Sequence, residues 1–239
     1  MSGKLRRTAA AGLVLAATLS ACQASNDAAP SAPNAPVNVV TDPQAARLHG
    51  TLLDPPLPRP TQILRDTSGQ PFSLANRPET ELTVLFFGYT HCPDVCPTTM
   101  ADLAVARSEL PARLRNHVTV VFVTEDPKRD TPGSLRRWLD GFDPAFLGLA
   151  GGSQATKTML DQLYLPPTRR LPNPEDPVQH PDDDHPQHHH GDYGVEHAGI
   201  VYAFGPGNRT VIYSGGITPD QYAADFTRLL DDTVPSSGP

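Results

Sequence analysis

LTVLFFGYTHCPDVCP, residues 82–97, is an apolar strand that runs directly into a cysteine-bearing helix start. Leu82–Gly88 has no polar–apolar alternation, and only Thr83 interrupts its apolar character. A strand of that kind needs cover on both faces, as at the centre of an α/β sheet. Cys92 and Cys96 follow, four residues apart, where the helix opens. Pro97 suits the first turn, and the pattern predicts a helix over 97–110 with Met100, Leu103 and Ala104 facing inward. Amides and the dipole at a helix start favour the thiolate of both cysteines. Their spacing turns the two side chains to one face.

The flanking sequence continues the alternation of strand and helix. His117–Thr124 (HVTVVFVT) predicts a second buried strand. Thr131-Pro132 caps a helix carrying Leu135, Trp138 and Leu139. Phe146–Leu149 fits a short strand, and Ser153–Leu165 another helix. Val195–Phe204 and Thr210–Ser214 read as two strands joined by the turn Gly205–Asn208, and Thr218-Pro219 starts a last helix to about Leu230. The expected fold class is α/β: a thioredoxin-like mixed sheet flanked by helices, with a β-hairpin and a terminal helix.

Outside that domain, expected over residues 61–232, the composition changes. Lys4, Arg6 and Arg7 precede an apolar stretch from Ala9 to Leu19, too short to span a bilayer as a helix. Leu19-Ser20-Ala21-Cys22 follows, which resembles a bacterial lipobox. Residues 1–21 are therefore expected to be a lipoprotein signal peptide, with Cys22 lipidated; an ordinary signal cut nearby would leave Cys22 a free thiol. Residues 22–60 hold eight prolines and no aromatic residue, the composition of a flexible tether. Residues 166–192 carry seven prolines, six acidic residues and five histidines (His180, His185, His188, His189, His190), which predicts a long irregular loop. Those histidines could capture copper or nickel weakly, but a solvated low-complexity insertion is the preferred reading. Residues 233–239 are expected to be a disordered tail.

Charge excludes one class of function. The chain has 19 Lys+Arg against 26 Asp+Glu, and removal of residues 1–21 takes three basic residues with it, leaving a balance of 16 − 26 = −10. Such a surface repels nucleic acid and anionic lipid.

The chain has three cysteines, and lipidation of Cys22 would leave only Cys92 and Cys96. A lone close pair in an exported protein is either a redox couple or a metal site. Sulfurs at this spacing can close a disulfide, or splay around a soft ion such as Cu(I) or zinc. Structural zinc needs four ligands and no further cysteine exists, so copper with two sulfurs and an imidazole is the more economical match. His197, within Val195-Glu196-His197-Ala198, is the candidate imidazole on rigid scaffold, although a lone strand histidine is more often a core or surface residue. His91 reads as a loop residue rather than a ligand.

FFGYTHCPDVCPTT (86–99), EDPKRDTP (125–132) and VEHA (195–198) with its following hairpin resemble the Sco/SenC family, in the family's order, over roughly residues 61–232. That family comprises thioredoxin-like copper proteins implicated in assembling the dinuclear copper site of cytochrome oxidase. The resemblance implies Cys92, Cys96 and His197 as ligands of a Cu(I) or Cu(II) ion. It also implies partners: the copper-site subunit of cytochrome c oxidase, an extracytoplasmic thiol reductant, and the membrane through the lipid anchor, on its extracytoplasmic side. Glu125 stands where the family often has a small or apolar residue, and the His/Asp-rich loop is longer than the family suggests. Asp126 either steers the site from behind its ligands or caps the turn before Pro127. The function expected first is metallochaperone rather than enzyme. A thiol–disulfide oxidoreductase acting on the target's cysteines is second, and a thiol peroxidase third, since peroxidase chemistry gives no reason for a histidine facing the pair.

Overall fold

The computed structural model describes residues 38–39, 47–171 and 193–231. β5 (Leu82–Gly88) and β6 (Val118–Thr124) pair in parallel, Leu82 opposite Val118 through Gly88 opposite Thr124. β7 (Leu147–Ala150) extends the parallel set beside β6. On the other side of β5 runs antiparallel β10 (Val201–Gly205), then β11 (Arg209–Tyr213). β1 (Asn38–Val39) and β2 (Thr51–Asp54) finish that edge, and β3 (Leu64–Asp66) with β4 (Pro71–Phe72) finishes the other. The result is a nine-stranded mixed sheet in the order β1-β2-β11-β10-β5-β6-β7-β3-β4.

The apolar runs of β5 and β6 follow from cover on both sides. Leu82, Val84, Phe86, Val118, Val120 and Phe122 face one buried cluster. Into it pack Met100 and Leu103 of α1 (Val95–Glu109), Leu135 and Leu139 of α3 (Pro132–Asp140), and Phe226 and Leu229 of α5 (Pro219–Asp231). α2 (Ala112–Arg115) adds Leu114. Leu85, Phe87, Val121 and Val123 face a second cluster, closed by Met159 and Leu160 of α4 (Gly152–Gln162). Each fully buried Leu, Val or Phe contributes about 1.5–3 kcal/mol relative to exposure, which explains why no polar alternation survives in these strands. Thr131 caps α3, its hydroxyl oxygen accepting from the Ser134 N–H at 3.2 Å.

Three local differences from the sequence expectation have physical causes. Helix α1 starts at Val95, so Cys96 already lies within its first turn. Val195–Phe204 is not one strand: β9 (Gly194–Glu196) pairs with β8 (Arg169–Leu171) in a separate two-stranded sheet, and β10 begins only at Val201. Gly199, at φ +61, turns the chain between them in a conformation a strand cannot hold. Finally, the folded part begins before residue 61. Thr51–Asp54 pairs with β11, Leu53 and Leu57 are buried, and Asp225 on α5 accepts from the N–H groups of His49 and Gly50 at 2.8 and 3.0 Å. Proline content signalled a tether there, but a sheet edge and a buried carboxylate supplied partners for the segment's backbone.

Candidate metal centre

The C-terminal end of β5 delivers the chain into the cysteine turn. Gly88 is the point of closest approach: a Cβ built there would lie 2.5 Å from Cys96 Sγ and 3.2 Å from the Phe122 ring. Only glycine lets the strand end and the first turn of α1 come that close. The Cys92 N–H then donates to the Tyr89 carbonyl at 3.2 Å, and the Cys96 N–H to Cys92 Sγ at 3.4 Å. Asp130 secures the same turn from beside it. Its buried carboxylate accepts from the Thr90 N–H at 3.0 Å and from the hydroxyls of Thr90 and Thr124, both at 2.6 Å.

His197 lies just past β9, in the connecting segment rather than in a strand. Its Nε2 is 3.6 Å from Cys92 Sγ and 3.4 Å from Cys96 Sγ, and the three atoms all lie within 4.8 Å of one another. Cys96 is buried, whereas Cys92 and His197 are half-buried, and neither sulfur is in a disulfide. Edge-on aromatic contacts hold the imidazole: Phe86 at 6.1 Å and 88°, Tyr89 at 5.8 Å and 78°. Among the described residues its buried Nδ1 has no hydrogen-bond partner.

Burial sets the protonation of these groups. It lowers His197 below the usual imidazole value, so Nε2 keeps a free lone pair or a neutral N–H near pH 7. It pushes the Cys96 thiol far up, and the neighbouring Cys92 and the more distant Glu125 add to the push. The helix start was expected to favour thiolate at both cysteines; at Cys96 loss of water outweighs the dipole. Two sulfurs and a neutral imidazole form a soft donor set, suited to Cu(I) and poorly suited to hard cations.

Two carboxylates stand behind the donors. Asp126, buried, accepts from the Tyr193 hydroxyl at 2.6 Å and from Arg129. Burial alone would raise it, but those hydrogen bonds and the charges of Arg129 and Arg170 hold it below the usual carboxylate value. Its side chain thus ties the turn after β6 to the residue preceding β9. Glu125 is 8% exposed and accepts from the Thr168 hydroxyl, while its Oε1 has no partner among the described residues. Burial pushes this carboxyl up to about 7, against the lowering effect of Thr168. Sequence reasoning noticed Glu125 only as a departure, and missed Asp130; the one available signal was a polar residue directly after a buried strand. His91 is exposed beyond the donor set, its Nδ1 3.1 Å from the Thr90 hydroxyl and 3.7 Å from Asp130.

Cys22, the proposed signal peptide and the histidines of 172–192 lie outside the described residues. Among the described residues no helix is long and apolar enough to cross a membrane.

A thioredoxin-like sheet that brings two helix-start cysteines to a histidine from the far end of the chain defines the class of protein. The family model described as SCO1/SenC matches residues 62–231, and the chain belongs to that family. A relative from Stutzerimonas stutzeri is 34% identical over 154 residues, 63% of this chain and 67% of the relative. Other curated relatives are spanned over only 35–60% of their own length. Among solved structures, copper-bound ScoI of Bradyrhizobium japonicum is 26% identical at a TM-score of 0.57, covering 72% of this chain and 99% of that one. Apo Sco1 of Thermus thermophilus is 30% identical at a TM-score of 0.56, covering 78% and 95%.

Proposed function

We propose that this protein is a copper metallochaperone, with Cys92, Cys96 and His197 as the ligands and the dinuclear copper site of cytochrome c oxidase as the destination. The observation that carries this reading is the meeting of two sulfurs and Nε2 within 4.8 Å. Family membership supports it, as does the copper held by the Bradyrhizobium relative. Copper is the cargo. On loading, the Cys96 thiol gives up its proton and His197 offers Nε2 without needing to lose one first. Three donors leave room for an incoming ligand of the recipient, so release proceeds by ligand exchange. The recipient is then the oxidase's copper-site subunit, and lipidated Cys22 would hold the domain at the extracytoplasmic face of the membrane, within reach of it. Two acyl chains make such anchoring stable.

A second reading has its own support. Cys92 and Cys96 are both free, lie within 4.8 Å, and the half-buried Cys92 is placed for its thiolate to attack a target disulfide. They would then reduce the target's cysteines, giving up two electrons and two protons as their own disulfide closes, and an extracytoplasmic thiol reductant would reset them.

Anaerobic Cu(I) titration of the full chain, with Cys92→Ser, Cys96→Ser and His197→Ala beside it, separates the two. Metallochaperone action predicts one tight equivalent, weakened sharply in all three variants, while His197→Ala still forms the disulfide. Wild-type copper affinity in His197→Ala contradicts the three-ligand site.

A further inference from the structure

His197 has little support within its own segment. It directly follows β9, and its Nδ1 has no acceptor among the described residues, although a ligating imidazole is ordinarily oriented there. β8 and β9 form a two-stranded sheet apart from the main one, and such a ribbon is marginally stable by itself. Residues 172–192 lie between β8 and Tyr193, so joining the two strands costs more chain entropy than a tight turn would. Val195 gives the ribbon one apolar anchor, in the buried cluster that also holds Phe86 and Cys96.

Two polar contacts, one at each end, tie the ribbon to the turn after β6. The pairing is antiparallel, with Arg169 opposite Glu196 and Leu171 opposite Gly194. Thr168 therefore stands at the end that carries His197, and Tyr193 at the other. The Thr168 hydroxyl donates to the carboxyl of Glu125, and the Tyr193 hydroxyl donates to Asp126 Oδ1 at 2.6 Å. Both acceptors are buried, and a buried acceptor that loses its donor has no water to replace it. The Tyr193 ring adds a second hold: Arg129 Cζ lies 3.7 Å and Arg170 Cζ 4.9 Å from its centroid, and both guanidinium groups also pair with Asp126. The same turn reaches the sulfurs. The Glu125 N–H donates to the Gly88 carbonyl at 2.7 Å, and Gly88 is where β5 packs against Cys96 Sγ.

We propose that Thr168 and Tyr193 are positioning residues for His197: they fasten the two ends of the β8–β9 ribbon to Glu125 and Asp126, and so hold the imidazole against the two sulfurs. The copper consequence rests on the function proposed above; the geometric one does not.

The test compares the full chain with Thr168→Val and Tyr193→Phe, which remove one hydroxyl each, with the double variant, and with Thr168→Ser, which keeps the hydroxyl. In the apo protein, amide exchange across the β8–β9 pairing should quicken about fivefold in each single variant and about tenfold or more in the double, the scale of one and two lost hydrogen bonds. Amides of β5 and β6 should be unchanged. Nuclear Overhauser contacts between the His197 ring and the cysteine β-protons should weaken in both single variants, and most in the double. Cu(I) affinity should fall about tenfold in the double variant, and Thr168→Ser should match wild type in all three measurements. Wild-type exchange across β8–β9 in the double variant overturns the proposal. So do undiminished His197 contacts despite faster exchange, because the hydroxyls would then serve the ribbon alone. Wild-type copper affinity in the double variant, with His197 contacts weakened, overturns it too. If the wild-type chain itself takes up no Cu(I), the chaperone reading fails, and the two apo measurements still decide the role of Thr168 and Tyr193.

Discussion

Cys96 and His197 titrate in opposite directions, and the difference shapes how copper affinity responds to acid. His197 is lowered by burial, so above its ordinary value of 6.5 it sheds little or no proton on loading. Cys96 is raised by burial, so across the same range its thiol must surrender a proton to the solvent. Apparent Cu(I) affinity should therefore rise with pH by at least about tenfold per unit from 6 to 8, with matching proton release. Competition titrations at stepped pH, with proton release followed by dye, test this; a flat profile would show that Cys96 is already ionised. Glu125 carries a second signature. Its folded value of about 7 lies above the ordinary 4.5, so its contribution to stability is fully present below pH 4.5 and is lost as pH rises toward 7. Glu125→Gln should melt with wild type at pH 4.5 and above it by several degrees at pH 8. Equal melting temperatures at both pH values would place this carboxyl in contact with water. Cysteines and a histidine were legible as residue types in the sequence. Their protonation was not, because it depends on burial that arises only when the cysteine turn, β6 and the segment bearing His197 fold against one another.

At the scale of elements, what could be read depended on cover. Leu82–Gly88 was legible to the residue, because a strand buried on both faces leaves no polar position to blur its ends. Val195–Phe204 was not, since its composition is strand-like while Gly199 takes a left-handed turn. The turn matters more than the strand: it frees His197 from sheet pairing to face the cysteines. Thr51–Asp54 escaped notice for the converse reason: it is only four residues long, lies near the sheet margin between β1 and β11, and is surrounded by a proline-rich sequence. Gly88 is where element packing meets the site. Gly88→Ala would drive a methyl to 2.5 Å from Cys96 Sγ, against a strand and a helix that cannot both retreat. We expect a loss of about 1–3 kcal/mol in denaturant unfolding and a copper affinity at least about tenfold weaker. Wild-type behaviour in both measurements would mean that the turn yields freely.

For the molecule as a whole, the sheet order creates the site. β10 lies directly beside β5, so the chain returning after some hundred residues brings His197 back to the end of β5, where the cysteine turn begins. Spacing along the sequence carries no such distance; its place on a strand-like segment made His197 a candidate, the resemblance of three ordered motifs strengthened the choice, and topology gives the physical reason. The two sulfurs and Nε2 already lie within 4.8 Å of one another, so an ion held by them would require little rearrangement, and Cys92 is half-buried rather than sealed in. The central claim is that one ion is shared by these donors. X-ray absorption at the copper edge, on anaerobically loaded full chain, examines it most directly. The account predicts two sulfurs and one nitrogen around copper, with the nitrogen lost in His197→Ala. A shell of sulfur alone in the wild type, or a nitrogen that persists in that variant, would contradict it.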